Sequence, residues 1–153
     1  MNKLVALLSF LCTVMLLSCS SLTLENVDYG WPVESVSTVG PDNMVSEGRY
    51  SLSFSISPIA LEEFQDSSAL RGSKVRILRN TEGYYFLTGP RFKHVYVFKP
   101  GKQELKEVST IEISQTGMQN PALNLRPPLV ELLDGEGFRR ILSSDGIVEE
   151  EKK

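Results

Sequence analysis

The segment "RYSLSFSIS", residues 49–57, decides the fold class. Tyr50, Leu52, Phe54 and Ile56 alternate with Ser51, Ser53, Ser55 and Ser57. A period of two marks a strand with one apolar face and one hydroxyl face, because successive strand side chains point to opposite sides. Immediately afterwards, Ser57-Pro58 reads as the N-cap and first residue of a short helix that runs toward Asp66. Ala60, Leu61 and Phe64 lie three or four apart on it and are expected to pack on the sheet.

Further along, short β-type runs alternate with turn residues. Residues 74–79 form one run, and Asn80-Thr81-Glu82-Gly83 reads as a turn. Residues 84–88 follow and stop at Gly89-Pro90, and residues 94–99 turn through Pro100-Gly101-Lys102 into residues 105–114. This spacing predicts an antiparallel meander. The run "HVYVFK" is apolar on both sides, through Val95 and Val97 on one and Tyr96 and Phe98 on the other. It predicts a central strand covered twice. Residues 117–128 contain Pro121, Pro127 and Pro128 and read as a long loop. Residues 129–133 and 138–142 predict a final hairpin, Ser143 to Gly146 a further turn, and residues 149–153 a charged tail. With an edge strand near residues 33–39, the expectation is a mainly β chain. It is a single antiparallel β-sandwich, or a curled meander or barrel, of about eight strands with one short helix. Residues 84–108 resemble one blade of an NHL-type β-propeller, yet a propeller needs about four blades and only one such unit is present.

The N-terminal region carries a second signal. Lys3 precedes residues 4–17, which are apolar except for Ser9 and Thr13. At ~1.5 Å per residue such a run is short of the ~20 residues that span a bilayer, and it matches an export signal instead. It ends in Leu16-Leu17-Ser18-Cys19, which resembles the lipobox of bacterial lipoproteins. That resemblance implies a signal peptide over residues 1–18, a diacylglyceryl group on the Cys19 thiol, and further acylation such as palmitate on the freed amine. It also implies residence in the cell envelope. Ser20 after the acylated position suggests the outer membrane, facing the periplasm or the exterior. Residues 19–30 read as a tether and residues 31–148 as the β domain. Cys12 falls inside the signal, so no intramolecular disulfide is expected.

The chain has 153 residues and a net charge of −3, which argues against a nucleic-acid partner. The charge is segregated. Between Arg71 and Lys106 nine bases face two acids, whereas the flanks are acidic. Such a block either pairs with the acidic flanks or recruits an anionic partner, an acidic envelope protein or anionic lipid. Arg76, Arg79, Arg91 and Lys93 are the candidate partner-binding residues.

No constellation points to catalysis, a cofactor or a metal. His94 is the lone histidine, at a strand end, and no nucleophile elbow or phosphate-cradling glycine loop accompanies it. Glu131, Asp134 and Glu136 surround a hairpin turn without the spacing of a calcium loop. The expected role is a non-catalytic binding or accessory subunit of an envelope complex. The alternative is a carrier of a small apolar ligand, in a pocket lined by Tyr84, Phe86, Tyr96 and Phe98.

Overall fold

The computed structural model describes residues 33–102 and 104–148. The export signal, Cys19, the tether up to residue 30 and the tail over 149–153 lie outside the described residues. The serine-alternating segment forms a strand as its pattern requires, but a shorter one. Leu52–Ser55 is extended, with Leu52 and Phe54 half-buried and Ser53 and Ser55 exposed. Tyr50 and Ser51 belong to the preceding turn, where Ser51 has φ 53°, and Ile56 is already the N-cap of the helix.

Among the described residues the chain makes eleven strands and one helix. They are β1 (Ser35–Thr38), β2 (Met44–Glu47), β3 (Leu52–Ser55), α1 (Ser57–Phe64), β4 (Lys74–Arg79), β5 (Tyr85–Thr88) and β6 (His94–Pro100). After them come β7 (Leu105–Glu112), β8 (Pro121–Arg126), β9 (Leu129–Asp134), β10 (Phe138–Ser143) and β11 (Gly146–Val148). Pairing is antiparallel throughout, in a five-stranded sheet β1-β4-β5-β6-β7, a four-stranded sheet β11-β10-β9-β8 and the hairpin β2-β3. The sheets stay open rather than closing into one barrel.

Register explains the layering. Ser35, Ile77, Leu87 and Tyr96 are successive cross-strand partners and so share one face of the five-stranded sheet. That face is covered by the β2-β3 hairpin and α1. The Ser35 hydroxyl donates to Glu47 on β2 at 2.5 Å, Tyr50 meets Tyr85 edge to face at 5.3 Å, and Tyr96 reaches Glu63 on α1. Leu78, Phe86 and Val97 share the opposite face, against the four-stranded sheet with its buried Leu123, Val130, Leu132 and Leu142. β6 is therefore covered on both sides, and Val95, Tyr96 and Val97 are all fully buried. Each such aliphatic or aromatic side chain contributes about 1.5–3 kcal/mol through burial.

The two main sheets also meet at both margins. Val33 bridges Asn124 on β8, and the Glu34 carboxylate accepts from the Leu123 N–H at 2.9 Å while holding the Arg76 guanidinium on β4. On the other margin the Ser109 hydroxyl of β7 donates to the Ser144 carbonyl at 2.5 Å.

Three features depart from the sequence-based expectation. Residues 117–128 are not one long loop, because Pro121–Arg126 is β8. Pro121 takes the first strand position, where its missing N–H is tolerated, and Pro127-Pro128 make the turn. The strand number rises above eight because β2 and β11 are short and carry little pattern, and because prolines flank β8. On α1 the buried residues are Ile59, Ala60 and Glu63, whereas Leu61 is 53% exposed and Phe64 half-buried. The helix docks through a carboxylate rather than through Leu61.

Candidate functional site

The densest polar constellation of the described residues is built where α1 crosses the start of β6. Glu63 sits on the last turn of the helix with its side chain 0% exposed. Its carboxylate accepts from four donors. They are the Lys93 N–H at 2.9 Å, the His94 N–H at 3.1 Å, the His94 imidazole Nδ1 at 2.8 Å and the Tyr96 hydroxyl at 3.2 Å. A carboxylate oxygen accepts, so the His94 Nδ1 at this distance is the donor. Burial, reinforced by the Glu63 charge, pushes the Tyr96 hydroxyl well above the ordinary tyrosine range and keeps it a donor. The Tyr96 ring is held by Phe92 edge to face at 6.3 Å and by Phe98 stacked at 6.5 Å. The sequence singled out His94 alone. Its partner Glu63 was hidden among the acids of a short helix.

The arrangement orients an imidazole by a buried carboxylate, and the His94 side chain is 26% exposed. Chemically it is a clamp: four hydrogen bonds lock helix to strand, and two of the donors are backbone groups at the point where β6 begins. Among the described residues no group of three or more His, Cys, Asp or Glu side chains stands together as a metal site. Asp134 instead accepts from the Gln119 and Asn120 N–H groups at 3.0 and 2.6 Å.

A second buried carboxylate, Glu131, lies on the outer face of the four-stranded sheet. Arg126 and Arg139 clamp it at 2.9 and 2.5 Å, and Asn124 donates at 3.5 Å. The Arg126 hydrogen bond, more than any other influence, holds its carboxyl below the ordinary range.

The four candidate partner-binding residues do not form one surface. Arg76 and Arg79 are three positions apart on β4 and so face opposite sides of the sheet. Arg76 is tied to Glu34, and the Arg79 guanidinium lies 5.9 Å from the centre of the Tyr85 ring. Arg91 and Lys93 are exposed in the β5–β6 connection, at the opposite end of the sheet from Arg79. Arg91 rests over the Phe64 ring at 5.1 Å and donates to the Ala69 carbonyl at 3.4 Å. Cys19 lies outside the described residues.

No family model, curated protein or solved structure matches the chain.

The aromatic residues proposed to line a ligand pocket are divided as well. Phe86 pairs with Val97 and Tyr96 with Leu87, which puts Phe86 and Tyr96 on opposite faces of the five-stranded sheet. Both are 0% exposed core residues. Tyr84 lies at the strand end, half-buried, with the Lys99 ammonium 5.0 Å above its ring.

The register also exposes a cationic group that sequence spacing hid. Lys99 and Lys106 are direct cross-strand partners in the β6–β7 hairpin, and Lys102 sits in its turn. All three are exposed. Like charges directly opposite one another destabilise a strand pair, so this placement works against the fold rather than for it.

Proposed function

We propose that this chain is a membrane-anchored bacterial lipoprotein, acylated on Cys19, whose β domain is a non-catalytic binding or accessory subunit of an envelope complex. The observation that carries the reading is Leu16-Leu17-Ser18-Cys19 at the end of a short apolar run. One acyl chain gives only marginal attachment, whereas two or three hold firmly, at about 0.8 kcal/mol per buried methylene. The internal use of the polar clusters supports a binding role over a catalytic one. Glu63 spends its acceptor capacity on the fold, and Glu131 is held between two guanidiniums. Arg91 and Lys93, exposed at the end of the sheet remote from Val33, are the residues offered to an acidic envelope protein.

Feeding cells labelled palmitate tests the anchor. Label is expected in the wild type and absent from Cys19→Ala; an unlabelled wild type, or a labelled variant, refutes it. For the partner, charge reversal at Arg91 and Lys93 is expected to remove a co-purifying protein while costing no more than about 1 kcal/mol of stability, through the Phe64 and Ala69 contacts of Arg91.

A further inference from the structure

The end of the sheet where Val33 stands is distinguished by more than the chain that enters there. Ser35 pairs with Ile77, so Val33 lies level with the last residue of β4. At that same end β5 begins, β6 finishes and β7 starts. The last partner β5 gives to β6 is Tyr85 with Phe98. Beyond it the β6–β7 hairpin continues for Lys99 opposite Lys106 and Pro100 opposite Leu105 before turning through Lys102. Beside it the β4–β5 hairpin closes through Asn80 and Tyr84, so the two turns stand side by side at this end of the sheet. The β6–β7 tip carries three exposed lysines, two of them face to face.

Two further details give this tip the make-up of an interfacial surface. Lys99 extends over the half-buried Tyr84 ring, joining a cation to an amphipathic aromatic. In β7, Val97 pairs with Ser109 and Phe98 with Glu107, so Val108 is a bulged residue, and it is 44% exposed. Acids stand there too: Glu104 in the same turn as Lys102, Glu107 on β7 and Glu82 in the β4–β5 turn. Of these, Glu107 is occupied by the Thr110 hydroxyl at 2.9 Å.

We infer that the tip of the β6–β7 hairpin is the membrane-facing end of the domain, with Lys99, Lys102 and Lys106 binding the anionic headgroups of the bilayer that holds the protein. The inference rests on acylation of Cys19. Residues 20–32 join that cysteine to the same end of the sheet as the lysines. At ~3.3 Å per residue they reach at most about 40 Å, which confines the domain near the lipid and lets the tip meet it without turning over. Basic residues held this close to anionic lipid gain attraction that salt screens away. The like-charge pair of Lys99 and Lys106 is relieved when a headgroup phosphate sits between them. The same orientation leaves Arg91 and Lys93 pointing away from the bilayer.

The test uses the acylated protein, purified in detergent from its own membranes and reconstituted on two vesicle types. One is an equal mixture of phosphatidylglycerol and phosphatidylcholine, and the other is phosphatidylcholine alone. Lysine modification by a water-soluble amine reagent is then read by mass spectrometry, with Lys93 as the internal reference. On phosphatidylglycerol vesicles at low salt, labelling of Lys99, Lys102 and Lys106 is expected to fall about tenfold relative to Lys93, and to recover near 0.5 M salt. Lys102→Glu, in an exposed turn, is expected to reduce the protection of the other two. Protein that floats with the vesicles but shows equal labelling at both ends overturns the inference and leaves the anchor standing. Equal protection on both lipid compositions overturns it too. Protein that floats with neither overturns the anchor and the inference together.

Discussion

Replacing Glu63 by glutamine keeps the size of the side chain and removes its charge. In the wild type one carboxylate oxygen accepts from His94 and Tyr96 and the other from the Lys93 N–H. A glutamine carbonyl can take over one of these positions, but its NH2 group then faces a donor at the other. The Lys93 contact becomes donor against donor, leaving a part-buried N–H without a partner at about 1–3 kcal/mol. The bonds that survive lose charge assistance, roughly another 1 kcal/mol together. The expected loss is about 3 kcal/mol, or a drop of about 10 °C in melting temperature for a chain of this size. Tyr96→Phe removes one donor of four and leaves the ring packed, so about 1 kcal/mol is expected from it. Urea unfolding followed by far-ultraviolet circular dichroism at neutral pH measures both. The reasoning is refuted if Glu63→Gln costs under about 1 kcal/mol, or less than Tyr96→Phe, because the helix would then be held by packing alone.

Gly117 has φ +90°, and a Cβ there would stand 2.6 Å from the Arg91 carbonyl oxygen. Gly117→Ala should therefore cost about 2–3 kcal/mol, whereas Gly135→Ala, also at positive φ but in open space, should cost about 1, both read from denaturant midpoints. On α1, Ile59→Ala should lose about 2–4 kcal/mol, while Leu61→Lys should stay within about 0.5, since only Ile59 is buried. Glu131 has its carboxyl held below the ordinary value of 4.5, chiefly by the Arg126 hydrogen bond. A depressed carboxylate stabilises the fold above its unfolded pKa and loses that contribution as the pH falls through the folded one. The wild type should exceed Glu131→Gln by about 1 kcal/mol at pH 7, and the difference should close as the pH falls below the ordinary value of 4.5; a gap that persists in strong acid would contradict the ionic origin.

The β architecture was legible wherever alternation or turn chemistry was strong. Residues 74–79 coincide with β4, and the both-sided apolar character of 94–99 correctly announced a strand covered twice. Prolines hid β8, because Pro121 at a strand start and Pro127-Pro128 in a turn look alike in sequence. The helix face was misjudged for a related reason. Spacing favoured Leu61, but what α1 meets is the backbone opening β6, which needs an acceptor and so selects Glu63. The charge block was visible as a count, yet its division between the two ends of one sheet depends on pairing register. The opposition of Lys99 to Lys106 across a turn is likewise a matter of register.

The tie between Glu34 and Leu123 has a bearing on the order in which the protein can become whole. Its partners are 89 positions apart, and beside it Val33 bridges Asn124. The β4–β7 and β8–β11 meanders are built from neighbours in sequence and can close at low loop-entropy cost as each emerges. β1 cannot: it waits for β4 to form its ladder and for β8 to receive its carboxylate. The first part of the domain to be made is thus the last to be sealed. Until β8 arrives the face carrying Leu78, Phe86 and Val97 lies uncovered, so deletions that slow its arrival should show themselves first as aggregation rather than as lost stability.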